Sequence, residues 1–153
     1  MNTSNNDFIA SLINGAKVTH LKYGVPASVT IAQAILESGW GRSGLTTHAN
    51  NLFGIKADRF WIGDVCWKPT TEYYHGHKMT VNAPFRRYPD LAASLEDHGK
   101  FLSKNPRYKP AFQCADGVDF AKEIAECGYA TDPNYAHLVM ELIDQYNLTK
   151  YDI

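Results

Sequence analysis

The sequence predicts an α+β fold in which a mainly helical lobe stands beside a small β-hairpin lobe. Three observations predict it. Apolar residues recur at helical spacing toward both ends of the chain. The middle, from Trp61 to Tyr88, is instead rich in β-branched and aromatic residues broken by turn formers. The length of 153 residues points to a single domain, 1–153, with a real core.

The first helix is expected to be capped by Asp7 and to run through Phe8, Ile9, Leu12, Ile13 and Ala16 until Gly24. Pro26 suits the first turn of a second helix reaching Ser38, which Gly39 closes. After Asp90, the spacing of Leu91, Leu95 and Leu102 predicts a third. Phe120, Ile124 and Cys127, ended by Gly128, predict a fourth. Asp132-Pro133 opens a fifth, with Tyr135, Leu138, Val139, Leu142 and Tyr146 on one stripe. Between the second and third, Val65, Trp67, Thr70, Thr71, Tyr73, Tyr74, Val81 and Phe85 predict a β-hairpin, turned at His75-Gly76-His77-Lys78 and broken by Pro69 and Pro84. A cleft between hairpin and helices is the natural place for a ligand.

Composition narrows the function. The net charge of -1 gives no reason to expect nucleic acid or an anionic membrane as partner. No apolar run is long enough to span a bilayer. Nine Tyr, seven Phe and three Trp supply flat faces of the kind that sugar rings stack on, although the same residues serve an ordinary core. Three cysteines, Cys66, Cys114 and Cys127, do not make a disulfide scaffold and are expected to be buried thiols. Cys66, His75 and His77 lack the ligand spacing of a zinc site, and no metal or cofactor is expected.

Two carboxylates carry the chemistry. At 100° per residue, Val29, Ile31, Ala32, Ile35 and Leu36 fill one arc of the second helix, and Glu37 falls on the other side, beside Thr30, Gln33 and Ala34. Glu37 also sits in the last turn, where the helix dipole disfavours an anion. An apolar wall from Trp40, Phe53 and Trp61 is expected to add to that. Both effects favour a proton retained near neutral pH, which a general acid needs. Glu72, in Thr70-Thr71-Glu72-Tyr73-Tyr74, is the candidate second carboxylate of a glycosidase pair. Position alone leaves both open to a plainer reading, as solvated surface charges.

Four segments settle the choice: Ala32-Gln33-Ala34-Ile35-Leu36-Glu37-Ser38-Gly39-Trp40-Gly41, Asn50-Asn51-Leu52-Phe53-Gly54-Ile55-Lys56, Thr71-Glu72-Tyr73, and Gly128-Tyr129-Ala130-Thr131-Asp132-Pro133. Together and in this order they resemble glycoside hydrolase family 73, the endo-β-N-acetylglucosaminidases, from about Phe8 to Tyr146. The resemblance implies a lysozyme-like fold. It implies that Glu37 is the catalytic acid, that Glu72 is the hairpin glutamate, and that Tyr129 lines the cleft near the acid. Asn51, Phe53, Trp61 and Tyr73 are implied in binding the sugar.

The function expected from the resemblance is cleavage of the β-1,4 bond between N-acetylglucosamine and N-acetylmuramic acid in peptidoglycan. Alternatives are a muramidase or lytic transglycosylase on the same scaffold, or a non-catalytic glycan-binding tail module. The partner is then the peptidoglycan glycan strand, met by a monomer. The first residues, Met-Asn-Thr-Ser-Asn-Asn-Asp, show no secretion signal. The chain is therefore expected to be made in the bacterial cytoplasm and to reach the wall after release, as a phage or prophage endolysin does.

Overall fold

A computed structural model describes residues 3–114 and 116–153. Along the chain run α1 (Thr3–Tyr23), α2 (Ala27–Ser38), α3 (Gly44–Ala49), strands β1 (Val65–Tyr74) and β2 (His77–Arg86), α4 (Leu91–Lys104), a 3₁₀ segment (Pro106–Gln113), α5 (Gly117–Glu126), α6 (Tyr135–Gln145) and a terminal 3₁₀ turn (Leu148–Tyr151). The α+β expectation is met, with one antiparallel hairpin against a helical body. Among the described residues, no helix is long and apolar enough to cross a membrane. Residues 1 and 2, the start of the expected leaderless N-terminus, lie outside the described residues.

The body is built around α2. Every residue of this helix except Leu36 and Glu37 is buried. The side of α2 that its small and polar residues predict to be open is covered, contrary to expectation. Thr30, Gln33 and Ala34 are as inaccessible as Ile31, because α1 and the terminal 3₁₀ turn pack against α2 on some sides while α5 and α6 close the rest. The N-terminal N–H groups, which have no partner within the helix, are met from outside it. His20 Nδ1 accepts from Ala27 N at 3.2 Å, and Asp152 Oδ1 accepts from Ser28 N at 2.7 Å. Asp152 Oδ2 also accepts from the Ser28 hydroxyl at 2.7 Å.

The far end of α2 explains most of the Glu-Ser-Gly-Trp-Gly run as structure. Gly39 is left-handed, at φ 56° and ψ 55°, and its N–H returns to Ile35 O. The Ser38 hydroxyl donates to Ala34 O at 2.5 Å and accepts from Gly41 N at 2.8 Å. Gly41 has φ 78°, and a Cβ there would stand 2.5 Å from Phe8 Cε1. Trp40 lies edge-on to Phe8 and Tyr146, at 6.2 and 5.3 Å between centroids. Glu37 alone in this run has a side chain left over for chemistry.

Other boundaries differ in instructive ways. α1 begins at Thr3, so Asp7 is inside the helix rather than at its cap. Asp90 and Asp116 do cap α4 and α5, accepting from Ala93 N and Asp119 N, each at 2.8 Å. The hairpin turns on two residues, His75 (φ 49°) and Gly76 (φ 79°), with Tyr74 opposite His77, so the strand resumes where a longer turn was expected. Pro69 and Pro84 lie within the strands, because in a two-stranded ribbon each strand has one edge without a partner. At its base the hairpin is held by Ala57 N to Pro84 O (2.9 Å) and Arg86 N to Ile55 O (3.0 Å). Residues 73–82 are all exposed, so the arm projects into solvent.

The cysteines are free; Cys66 is buried, whereas Cys114 and Cys127 are half-buried rather than buried as expected. Cys66 pairs with Phe85 at the base of the hairpin, the opposite end from His75 and His77, so the three do not meet.

Candidate active site

Glu37, the last-turn residue that escapes burial on α2, opens into a groove of about 650 Å³. Its lining is Phe53, Gly54, Ile55 and Lys56 from the loop after α3, Asp58 and Arg86 at the hairpin base, Phe101 and Tyr108, and Tyr129 with Ala130 and Thr131 after α5. Glu37, Phe53 and Tyr129 are thus brought together from three separate stretches of sequence. Burial raises the pKa of the Glu37 carboxyl, and a hydrogen bond from Tyr135 pulls it partly back. The edge of Glu37 that faces the groove stays open to solvent, which moderates the rise.

The wall around Glu37 differs from expectation. Trp40 faces Phe8, Tyr146 and a shallow pocket with Leu138 and Leu142 on the far side of the helix. Trp61 lies in adjoining pockets, under the Arg86 guanidinium (4.9 Å to the ring centroid) and edge-on to Tyr88. The apolar surface beside the carboxyl comes from Phe53, Phe101, Tyr108 and Tyr129 instead. A second hollow, of about 640 Å³, shares Asp58, Arg86 and Phe101 with the groove and includes Trp61, so Trp61 flanks the groove from its extension.

Asn51 works from behind. It is 1% exposed, and its amide donates to Ile55 O (3.0 Å) and Arg86 O (2.9 Å) while its Oδ1 accepts from Ile55 N (3.2 Å). Both amide protons are thus spent on backbone carbonyls, and the side chain is buried. It ties the Leu52–Ile55 loop to the hairpin base and so sets the position of Phe53. Phe53 in turn stacks on His98, with centroids 3.8 Å apart and planes at 12°.

Glu72 is half-buried where the hairpin arm leaves the body, in an ion pair with Lys56, which lines the groove (2.5 Å). Its neighbours on that face are Thr70 and, across the ladder, Met79 and Val81. Tyr73, one residue on, points to the opposite face and is 74% exposed, so it does not join Glu72 there.

Four residues not expected at the site from the sequence, His98, Gln33, Tyr108 and Tyr135, support it. The Tyr129 hydroxyl meets His98 Nε2 at 3.2 Å. His98 is fully buried, and burial pushes its pKa down to about 3, so the imidazole is neutral. The Tyr135 hydroxyl takes a hydrogen bond from Gln33 Nε2 at 2.9 Å. Tyr108, Tyr129 and Tyr135 form a continuous aromatic cluster, with centroids 6.0 and 5.5 Å apart. Burial raises the pKa of Tyr129 and Tyr135, so both hydroxyls keep their protons. Only periodicity touched Tyr135 in the sequence, and it read as one more apolar-stripe residue. In the sequence Gln33 showed only as a helix-face neighbour of Glu37, and no signal marked His98.

The family model described as mannosyl-glycoprotein endo-beta-N-acetylglucosaminidase matches residues 14–148. The chain is 38% identical over 150 residues to the exo-glucosaminidase LytG of Bacillus subtilis, covering 95% of this chain and 52% of that protein. It is 38% identical over 143 residues to the peptidoglycan hydrolase FlgJ of Salmonella typhimurium, covering 91% of this chain and 45% of that one. It superposes on the catalytic domain of the autolysin Auto from Listeria monocytogenes with a TM-score of 0.90 at 38% identity, over 99% of this chain and 89% of that domain. The chain spans about half the length of the curated relatives it matches.

Proposed function

The chain belongs to the glucosaminidase family, and from that premise we propose that it hydrolyses the β-1,4 bond between N-acetylglucosamine and N-acetylmuramic acid in peptidoglycan, with Glu37 as proton donor. The observation that carries the reading is the situation of one carboxyl group. Glu37, in the last turn of a largely buried helix, opens into a groove of about 650 Å³ and has its pKa raised by desolvation.

In the proposed reaction Glu37 gives its proton to the bridging oxygen as positive charge develops on the sugar ring. Of the three rings Phe53, Phe101 and Tyr108 along the groove, the half-buried Phe101 has surface to offer a pyranose ring, while the buried Phe53 and Tyr108 back the wall. Tyr129, a neutral hydroxyl held by His98, stands beside the reacting centre as a hydrogen-bonding group. Glu72 completes the site from the hairpin. Either it activates a water on the opposite face of the sugar, or the substrate's own 2-acetamido oxygen attacks and Glu72 steadies the intermediate. Peptidoglycan is outside the cytoplasmic membrane, so the proposed place of action is the cell wall.

Digestion of purified peptidoglycan followed by mass spectrometry tests the proposal. Fragments ending in reducing N-acetylglucosamine are the expected products. Reducing N-acetylmuramic acid would indicate a muramidase, 1,6-anhydro ends a transglycosylase, and no cleavage a binding module. Glu37→Gln is expected to abolish clearing of embedded cell walls while leaving the circular dichroism spectrum unchanged; clearing at the wild-type rate refutes the assignment of the acid. The anomeric configuration of the first product, followed by NMR, separates the two routes.

A further inference from the structure

We propose that the hollow continuing the groove past Arg86 is a subsite for the peptide that muramic acid carries, and that Lys100 and Lys104 recognise the free carboxylates of that peptide. This inference rests on the reading of the chain as a hydrolase of peptidoglycan glycan strands.

The hollow, of about 640 Å³, shares Asp58, Arg86 and Phe101 with the groove that holds Glu37, so a ligand can run from one into the other. One wall is the loop Phe60-Trp61-Ile62, and the other is the flank of α4 that carries Lys100 and Lys104. These lysines are one helical turn apart and so share a face. Both are exposed, and neither makes an ion pair among the described residues. The carboxylates about them are committed elsewhere. Asp97 accepts from Arg86 Nη1 at 2.8 Å and from the Tyr88 hydroxyl at 2.5 Å. Asp58 accepts from Phe60 N at 3.0 Å and from Arg86 Nη2 at 3.4 Å. Glu96, one turn before Lys100, pairs with Lys22.

The chemistry of this lining selects between the parts of the substrate. A glycan strand offers hydroxyl and acetamido groups, which are neutral, and rings that stack on open aromatic faces. Trp61, the indole in place for stacking, has a face under the Arg86 guanidinium at 4.9 Å, an edge-on contact with Tyr88, and its N–H donated to Asp64 O at 2.8 Å. The peptide on muramic acid instead offers carboxylates set among small aliphatic side chains. Carboxylates suit two cations that have no other partner. The aliphatic groups suit Phe60 and Ile62, which stand 76% and 100% exposed at the rim. Arg59, over the Phe60 ring at 4.8 Å, adds positive charge beside them.

The test measures kcat and KM of the full chain on three soluble substrates: glycan strands that keep uncross-linked peptides, the same strands with the peptide carboxylates chemically amidated, and the same strands with the peptides removed. KM on the first is expected to be about tenfold lower than on the other two, the effect of two exposed ion pairs. The three kcat values should agree, because neither lysine lines the groove around Glu37. Lys100→Met and Lys104→Met should each raise KM on the peptide-bearing strands about threefold, and together about tenfold. Their KM on naked strands should stay within about twofold of wild type. Added salt should erode the wild-type preference and leave the double variant unaffected.

The proposal is overturned by an equal KM on all three substrates, or by lysine substitutions that act alike on naked and peptide-bearing strands. It is equally overturned by a preference that survives amidation, which would rest on apolar contact rather than charge, and by a preference for naked strands, which would make the hollow a sugar subsite. If the lysine variants fail to fold, the wild type on the amidated strands decides by the same criteria. Cleavage of all three substrates with equal KM removes only this inference, whereas cleavage of none removes the functional reading beneath it and this inference with it.

Discussion

Asn51→Asp isolates the contribution of the loop behind the groove, because the two side chains have the same shape. In the wild type the Nδ2 group donates to Ile55 O at 3.0 Å and Arg86 O at 2.9 Å, from a residue 1% exposed. The substitution puts a carboxylate oxygen against both carbonyls. Two hydrogen bonds are lost, at about 1 kcal/mol each. The buried anion facing two acceptors raises its own pKa, and a rise of about one and a half units adds roughly 2 kcal/mol at neutral pH. The expected deficit is therefore about 4 kcal/mol, or a melting temperature lowered by roughly 12 °C in a domain of this size. The sign with pH follows from the raised folded-state pKa: the unfolded chain releases its proton first, so the penalty grows as pH rises above about 4 and saturates past the folded value. Thermal melts followed by circular dichroism at about pH 4 and pH 7 should show deficits near 6 and 12 °C. A variant as stable as wild type at neutral pH refutes the assigned role of Asn51. A deficit that does not shrink in acid refutes the account of its cause.

Two further predictions concern stability. Asp152→Ala removes the cap that reaches Ser28 from the other end of the chain. It should cost about 2 kcal/mol and lower the melting temperature by about 4–8 °C, with turnover at 25 °C unaffected because the catalytic end of α2 is not touched. An unchanged melt would show that the cap contributes nothing. For His98, the folded-state pKa of about 3 lies below the ordinary value of 6.5. The unfolded chain therefore takes up the proton first, and stability from this group is complete above pH 6.5 and lost as pH falls toward 3. Urea unfolding between about pH 6 and pH 4 should show wild type losing roughly 1.4 kcal/mol more per unit than His98→Gln; equal slopes would place the acid sensitivity elsewhere.

What the sequence by itself determined are the features that depend on neighbours along the chain. The 3.6-residue period marked α2 and α4, Gly39 marked where α2 must stop, Asp90 marked where α4 begins, and His75-Gly76-His77-Lys78 marked a turn, of which the structure uses the first two residues. The recurrence of four short segments pointed to the family, and with it to Glu37 and Tyr129. Tertiary structure decided everything that depends on what packs against an element. Periodicity took Thr30 and Gln33 for a solvent face because they are polar, yet α5 and α6 cover that side, so Gln33 became a buried donor to Tyr135. Asn51 looked like a sugar ligand until its three hydrogen bonds were seen to be used by backbone 4 and 35 positions away. Trp40 and Trp61, expected around the acid, are claimed by Tyr146 and Arg86. A local pattern fixes dihedral angles and spacing, but a side chain's partners are set by elements distant in sequence, and those contacts exist only once the chain has closed on itself.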